Sequence, residues 1–356
     1  MTAGDPRVIE RHCMEDIKSL SPEELQAYCE SIGEKKFRAA QIYEWLHKKL
    51  ATEWDEMTNI SAALRQKLSE DYYLPKLEIA TVLKSEAGDT EKFLFKLADG
   101  NVIESVLMRY EHGNSVCISS QVGCRMGCNF CASTIGGRIR DLTAGEMLEQ
   151  VYHIQRHDGQ RVSNVVVMGT GEPFDNFDNF CRFYERISDE KGLNISGRNI
   201  TVSTCGIVPK IRELADRQYT LTLAVSLHSP TDELRRTFMP IANKYTIREI
   251  MDACDYYFEK TGRRITFEYS LINGVNDSAE CAEILSKLLR GKNAHVNLIP
   301  VNPVKERSYT KTNAEGVRGF KNILEKNGIN ATIRKGMGKD IDAACGQLRR
   351  SYTTNT

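Results

Sequence analysis

The chain has 356 residues, of which 41% are hydrophobic and 27% charged, and its 48 basic residues balance its 48 acidic ones. This is the composition of a globular protein and argues against extensive disorder. The charged start lacks the apolar core of a signal peptide, and no uncharged apolar run reaches the roughly 18 residues of a membrane span. We therefore expect a soluble, cytoplasmic protein without a membrane partner.

Residues 1–75 are predicted to form a small helical domain. Apolar residues recur at helical spacing in three segments, PEELQAYCESIG, FRAAQIYEWLHKKL and ISAALRQKLSEDY. Residues 76–110 change character, because short β-like runs, IATVLKS, EKFLFKLA and NVIESVLM, are separated by turn signals. We expect these runs to form a small antiparallel sheet that links the helices to the rest of the chain.

Residues 111–350 are predicted to form an α/β domain. Six β-like runs are each followed by an amphipathic stretch: SVCISSQ, VSNVVVMG, RNITVST, LTLAVSLH, RITFEYSLI and HVNLIPVN. This alternation indicates parallel strands with helical crossovers. Six strands suit a partial, TIM-like (β/α)6 barrel better than a complete eight-stranded one, with a doubly wound sheet as the alternative. In a barrel, the chemistry is expected at the carboxyl ends of the strands.

Three cysteines with short spacing follow the first strand of this domain. Cys124, Cys128 and Cys131 form a C-x3-C-x2-C run in QVGCRMGCNFCAS. Three close thiolates can hold a metal or an iron-sulfur cluster, and a run without a fourth nearby ligand would leave one iron of a four-iron cluster open to a substrate. The alternatives are a zinc site completed by Cys117 or His153, or three cysteines that fill the core. The eleven cysteines do not suggest a disulfide framework, because their number is odd and the chain is long.

The segment CISSQVGCRMGCNFCASTIGGRIR resembles the RlmN/Cfr family of radical S-adenosylmethionine (SAM) enzymes. The resemblance extends to MGTGEPFDNFDN, ITVSTCGIVP, LAVSLHSP, INGVNDS, NLIPVNP and DIDAACGQLR. Val122 stands where Cfr proteins carry a cysteine, which favours the RlmN branch. Thr170 departs from the methionine that is usual in the family at the GEP motif.

The resemblance implies two cofactors and their binding residues. A [4Fe-4S] cluster on Cys124, Cys128 and Cys131 would bind the amino and carboxylate groups of SAM through its open iron. The expected SAM-binding residues are Gly171, Glu172, Ser203, Ser226, Leu227, His228 and Asn302. Without the resemblance, each of these polar residues is equally explained by a turn or cap, and His228 by a buried histidine with satisfied hydrogen bonds.

The resemblance also implies three catalytic residues and two SAM molecules per turnover. Cys345 would carry a methyl group, Cys117 would release the product by forming a transient disulfide with Cys345, and Glu104 would accept the ring proton. Without the resemblance, Glu104 is interpreted as a carboxylate on a strand face. The remaining cysteines are interpreted as packing residues: Cys13, Cys29, Cys181, Cys205, Cys254 and Cys281.

The implied activity is methylation of adenosine C2 in 23S rRNA and at the position 3' of the anticodon in tRNAs. The N-terminal helices and local basic patches, including Arg138 and Arg140, would bind the RNA. A flavodoxin or ferredoxin is the expected electron donor, and a monomer the expected state. One alternative is Cfr-like methylation of adenosine C8 in 23S rRNA. Another is a non-catalytic RNA-binding protein with a structural metal site.

Overall fold

The computed structural model describes residues 14–304, 306–334, 341, 348–349 and 352. Cys345 and Cys13 lie outside the described residues. No helix in the described part of the chain is long and apolar enough to cross a lipid bilayer.

The N-terminal residues form the helices that the apolar spacing predicts. Three helices, α1 (Pro22–Ser31), α2 (Phe37–His47) and α3 (Ala62–Asp71), lie beside two short parallel strands, β1 (Glu15–Asp16) and β2 (Tyr72–Tyr73). They share a hydrophobic core of their own, separate from that of the main sheet. A capping box stabilises the start of α1: Ser21 Oγ accepts a hydrogen bond from Glu24 N, and the Glu24 carboxylate accepts one from Ser21 N.

One sheet dominates the rest of the molecule. Its ten strands, as far as the chain is described, follow one another in space in nearly the same order as in the sequence. Three antiparallel strands come first, β3 (Glu78–Lys84), β4 (Thr90–Lys96) and β5 (Val102–Tyr110). Parallel strands follow: β6 (Gly113–Cys117), β9 (Val162–Val167), β10 (Ile200–Thr204), β11 (Thr222–Ser226), β12 (Ile265–Leu271), β13 (Ala294–Pro300) and β14 (Ala331–Ile333). Two further strands, β7 (Gln121–Gly123) and β8 (Arg138–Asp141), form a separate antiparallel pair.

This strand order confirms the partial barrel and excludes a doubly wound sheet, in which the order reverses at a switch point. Two details differ from the prediction. The antiparallel strands β3–β5 are not a separate linking sheet, because β5 pairs with β6 and so continues the barrel sheet. A short seventh parallel strand, β14, pairs with β13 after the six predicted ones.

Helices connect the parallel strands and cover the outer face of the sheet. They are α4 (Ala144–Asp158), α5 (Phe177–Ser188), α6 (Val208–Asp216), α7 (Asp232–Phe238), α8 (Ile247–Thr261), α9 (Ala279–Leu289) and α10 (Ala314–Lys326). The predicted capping box is present, since Thr143 Oγ1 accepts a hydrogen bond from Glu146 N and the Glu146 carboxylate accepts one from Thr143 N. The apolar residues between helices and sheet form one continuous core, which holds the carboxyl ends of the strands at a common edge.

A buried polar cluster attaches the N-terminal helices to the start of α4. Lys18 Nζ lies 2.5 Å from Glu149 Oε2, and both side chains are fully buried. Asp16 Oδ2 accepts hydrogen bonds from Thr143 Oγ1 at 2.5 Å and from Ser19 Oγ at 3.0 Å. A Cβ atom on Gly145 would lie 2.1 Å from Asp16 Oδ2, so this close approach requires glycine.

Candidate active site

A cavity of about 260 Å³ opens at the carboxyl ends of the parallel strands. The cysteine loop forms one wall, and the ends of β9 to β13 form the others. Another cavity, of about 500 Å³, lies between the N-terminal helices and β3–β4, and no cysteine lines it. Only the first cavity brings together the residues that the sequence singles out.

The three cysteines of the loop line this cavity together. Cys124 and Cys128 are buried, and Cys131 is half-buried. The loop is held by its backbone: Cys124 N donates to Gly137 O at 3.0 Å, and Thr134 Oγ1 donates to the carbonyls of both Cys128 and Cys131. Burial raises the pKa of Cys124 to about 12, and burial together with the neighbouring thiols raises that of Cys128 still further.

The loop after β9 carries Gly171 and Glu172 into the cavity wall. Gly171 has φ +112°, and a Cβ atom there would lie 2.7 Å from Ser120 Oγ, so no side chain is tolerated. The Glu172 carboxylate is buried and accepts hydrogen bonds from Cys205 N at 2.7 Å and Phe174 N at 3.0 Å. Burial raises the pKa of Glu172, which these hydrogen bonds oppose.

Polar groups at the ends of β10 and β11 form the next part of the wall. Ser203 Oγ and Ser226 Oγ lie 3.2 Å apart. His228 adopts φ +56°, and its Nδ1 accepts a hydrogen bond from Ser270 N at 2.9 Å. Burial, with a contribution from Arg235, lowers the pKa of His228 to about 3, so the ring is neutral. A neutral imidazole that accepts through Nδ1 carries its proton on Nε2, which makes His228 a donor beside the cavity.

The two remaining residues expected to bind SAM differ in their position. Asn302 lines the cavity, as predicted from the resemblance. The Leu227 side chain is fully buried and does not line it. The backbone of Leu227 is engaged instead, because its N–H donates to Glu268 O and its carbonyl accepts from Arg235 Nε. The Thr170 side chain is also buried away from the cavity, so its departure from the family pattern does not alter the lining.

The strand register brings Cys117 and Glu104 to the same face of the sheet. Cys117 lies opposite Val106 on β5, and Glu104 is two residues from Val106, so their side chains point the same way. On its other side Cys117 pairs with Val166, which in turn pairs with Thr201, two residues before Ser203. Because Ser203 lines the cavity, Cys117 and Glu104 belong to the inner face of the barrel.

The Glu104 carboxylate contacts Lys92 and Arg349, among other groups. Its Oε2 lies 3.1 Å from Lys92 Nζ, and both side chains are buried. Its Oε1 accepts a hydrogen bond from the backbone N–H of Arg349 at 2.5 Å. Arg349 follows Cys345 by four positions, so the C-terminal segment reaches the carboxylate of Glu104.

Comparison with known proteins identifies the family. Residues 15–74 match the ribosomal RNA large subunit methyltransferase N-terminal domain, and residues 118–287 match the radical SAM superfamily. A probable dual-specificity RNA methyltransferase RlmN from Lachnospira eligens is 65% identical over 95% of this chain and 97% of its own length. The corresponding protein of Lachnoclostridium phytofermentans is 62% identical over 96% of both chains. The chain belongs to the RlmN family.

A crystal structure agrees with this RlmN assignment. A radical SAM methyltransferase from Sphaerobacter thermophilus superposes with a TM-score of 0.89 at 43% identity, covering 94% of this chain and 98% of the other. The RlmN-family chain is therefore a radical SAM RNA methyltransferase, which uses SAM and a [4Fe-4S] cluster. The interpretation as a non-catalytic RNA-binding protein is wrong.

The cysteine loop of this RlmN-family chain suits such a cluster in its chemistry. It supplies three thiols, the ligands that iron-sulfur clusters take, and binding would replace their protons by iron. Neither Cys117 nor His153 lines the cavity, so the structure gives no support to a zinc site completed by them. Among the described residues, no group of three or more His, Cys, Asp or Glu side chains is arranged to hold a metal ion.

Sequence reasoning missed several residues of this RlmN-type site. Cys205 is not a simple packing residue, because it lines the cavity beside Cys128 and its backbone N–H donates to the Glu172 carboxylate. Glu268 also lines the cavity, accepts a hydrogen bond from Asn297 Nδ2 at 2.9 Å and has its pKa raised by burial to about 7. Glu268 stands out in the sequence as a single acidic residue inside a strand, which was an available signal.

The two arginines near the loop that were expected among the RNA-binding basic residues form ion pairs within the protein. Arg138 lies 2.8 Å from Asp141 Oδ1. Arg140 lies 2.5 Å from Asp99 Oδ2 and 2.7 Å from Glu146 Oε2. Both guanidinium groups are thus neutralised within the protein, so they hold the β7–β8 strands in place and are poor candidates for binding RNA.

Proposed function

We propose that this enzyme methylates C2 of adenosine in 23S rRNA and of the adenosine 3' of the anticodon in tRNAs. The observation that carries the proposal is the shared inner face of Cys117 and Glu104, with Arg349 of the C-terminal segment bonded to Glu104. The relatives are named as dual-specificity RNA methyltransferases, which supports two RNA substrates, and Val122 in place of the cysteine of Cfr proteins supports the C2 assignment.

In this proposal the cavity holds the cluster and SAM side by side. Cys124, Cys128 and Cys131 ligate the cluster, and Gly171, Glu172, Ser203, Ser226, His228 and Asn302 surround SAM, with Leu227 contributing its backbone. When bound, the cluster would supply the electron for the reductive cleavage of SAM. Two SAM molecules are used per turnover, one as methyl donor and one as radical source.

Cys345 carries the methyl group because an adenine ring carbon is too weak a nucleophile to attack SAM directly. After hydrogen abstraction the methylene radical on Cys345 adds to C2 of the adenine. The Cys117 thiolate then attacks the Cys345 sulfur, so that an S–S bond forms and the carbon–sulfur bond breaks. The released carbon takes up one proton to become the methyl group, and the unpaired electron left by the radical addition would return to the oxidised cluster. A thiol reductant restores both cysteines by supplying two electrons and two protons.

Glu104 takes the proton that C2 must lose. The ammonium group of Lys92, with its Nζ 3.1 Å from Oε2, holds the carboxylate in place on the inner face of the barrel. Burial of the pair excludes water that would compete for the proton.

The remaining elements of the proposal concern partners. The N-terminal helices bind the RNA by shape and phosphate contacts, and the target base is unstacked into the cavity. A flavodoxin or ferredoxin reduces the cluster, and the enzyme acts as a monomer in the cytoplasm.

The test is nucleoside mass spectrometry after anaerobic reaction of reconstituted enzyme with SAM, reductant and unmodified 23S rRNA fragments or tRNA. We expect 2-methyladenosine, and none with Cys345→Ala. Cys117→Ala should accumulate a covalent protein–RNA species, visible as a shifted band after denaturing electrophoresis.

Cys254→Ala is the matched control, because Cys254 is buried like Cys117 but lies on α8, where it packs into the hydrophobic core. It should form product without a trapped species. An 8-methyladenosine product would instead assign the enzyme to the Cfr type. An intact cluster that never cleaves SAM would refute the radical mechanism.

A further inference from the structure

Arg235 on α7 is a fully buried arginine whose guanidinium binds only neutral groups. Its Nε donates to Leu227 O at 3.0 Å, and its Nη2 donates to Cys205 O at 2.7 Å and to Ser226 O at 3.3 Å. Its Nη1 is buried and has no hydrogen-bond partner among the residues that the structure describes. One donor of a buried cation is therefore unsatisfied.

The charge of Arg235 is also uncompensated in the described part of the chain. No carboxylate among those residues lies within ion-pair distance of it, and Asp232 acts on it only at longer range. Burial lowers the pKa of the guanidinium as a result. An unpaired charge in the interior is strongly unfavourable, because it has lost its hydration without gaining a counter-ion. Such a cost indicates that a counter-charge is present in the working enzyme.

The position of Arg235 shows where that counter-charge belongs. Helix α7 lies against the cysteine loop, because Asn129 N donates to Phe238 O at 2.8 Å and Phe238 packs with Cys128 and Cys205. Arg235 Nη2 donates to the carbonyl of Cys205 at 2.7 Å, and Cys205 packs against Cys128, so the guanidinium lies directly behind the cysteine loop.

A cluster bound to the loop would supply the missing negative charge. Three thiolates and the sulfides outweigh the iron charge, so the assembled centre is anionic, and accepting an electron makes it more so. A nearby buried cation therefore stabilises the reduced form more than the oxidised form. Hydrogen bonds to cluster sulfur act in the same direction.

We propose that Arg235 is the internal counter-cation of the cluster and raises its reduction potential, with Nη1 free to donate to a sulfur atom of the loaded centre. Arg235 is thus a positioning and tuning residue that also holds the carbonyl groups of the SAM-binding strands. The inference rests on the proposed ligation of the cluster by Cys124, Cys128 and Cys131.

The test is a redox titration of the reconstituted enzyme followed by electron paramagnetic resonance. Arg235→Met removes the charge, and we expect the equilibrium constant for reduction to fall at least tenfold, which for one electron is a midpoint about 59 mV lower. Arg235→Lys keeps the charge and should stay within threefold of the wild type. If Arg235 had only a structural role, the midpoint potentials of the Met and Lys variants would not differ according to their charge.

Arg186→Met is the matched control, because Arg186 is also buried with unpartnered nitrogen atoms but faces the N-terminal helices. Its potential should equal that of the wild type. If Arg235→Met does not fold, Arg235→Gln removes the charge while keeping donors for the carbonyl groups. A charge-free variant with full iron content and an unchanged potential would overturn the proposal. Wild-type protein that binds no cluster would instead refute the proposed ligands.

Discussion

Lys92 and Glu104 form a diagonal ion pair across β4 and β5, with Nζ 3.1 Å from Oε2 and both side chains buried. Lys92 lies opposite Val106, which lies opposite Cys117, so one row of the sheet joins the ammonium group to the cysteine proposed to release the product. The ion pair holds the Glu104 carboxylate, which is proposed as the base. Glu104 lies on β5, which pairs with the β6 strand that carries Cys117.

Lys92→Met should destabilise the protein by about 3–5 kcal/mol, because it removes the ammonium group that lies 3.1 Å from the buried Glu104 carboxylate. The double variant Lys92→Met/Glu104→Gln should recover most of that loss, since it removes both charges of the pair. Chemical denaturation of the three proteins measures both effects. Lys321→Met, which breaks the solvent-exposed pair with Glu325, should change the free energy of unfolding by no more than about 0.5 kcal/mol. Equal losses in the single and double variants would contradict a charge-based role.

Gly145→Ala should lower the free energy of unfolding by about 1–3 kcal/mol, although alanine usually favours helices. The added Cβ would lie 2.1–2.5 Å from the carboxylate atoms of Asp16, which bind the N-terminal helices to α4. Gly319→Ala in α10 is the control, because nothing lies within 4 Å of its Cβ position, and it should stabilise by about 0.5–1 kcal/mol. Thermal or urea unfolding measures both changes in the free energy of unfolding, which should be a decrease for Gly145→Ala and an increase for Gly319→Ala.

The pH dependence of stability should contain a contribution from Asp16. Burial, and to a smaller degree the charge of Glu146, raises the pKa of Asp16 from 3.8 to about 6, against hydrogen bonds that lower it. The folded protein therefore holds the proton more tightly than the unfolded chain. The resulting stabilisation is complete below about pH 4 and is lost as the pH rises through 6, by about 3 kcal/mol. Asp16→Asn does not titrate, so urea denaturation from pH 4 to 7 should show the wild type weakening relative to the variant. A constant difference between the two proteins would refute the shift.

Cys128→Ala should lose iron and sulfide on reconstitution, whereas Cys205→Ala should retain them. Both thiols are buried side by side in the same cavity wall, so the comparison controls for packing. The proposed ligands end with Cys131, and Cys205 is hydrogen-bonded to Glu172. Loss of iron in both variants would mean that Cys205 takes part in ligation.

Much of the fold could be predicted from the sequence, because the spacing of apolar residues shows which face of a helix or strand is buried. The helices of the N-terminal part and the alternation of strands and helices lie where apolar spacing indicates them, and Thr143 and Glu146 form the expected capping box. The continuity of β3–β5 with the barrel could not be read in this way. It depends on the pairing of β5 with β6. Which strand pairs with which is set by the tertiary structure and is not visible in the sequence of either strand alone.

The sequence by itself determined the family and the candidate residues of the site, because the three cysteines of the loop, the GEP motif and the C-terminal cysteine are local patterns. Only the tertiary structure decided which charges are buried. Arg235 and Arg236 are neighbours of the same type, yet the first is fully buried and the second exposed. Lys92 and Glu104 are likewise typical surface residues until the strand register makes them face each other. The cost of burying a charge depends on its spatial partners, and these come from distant parts of the chain.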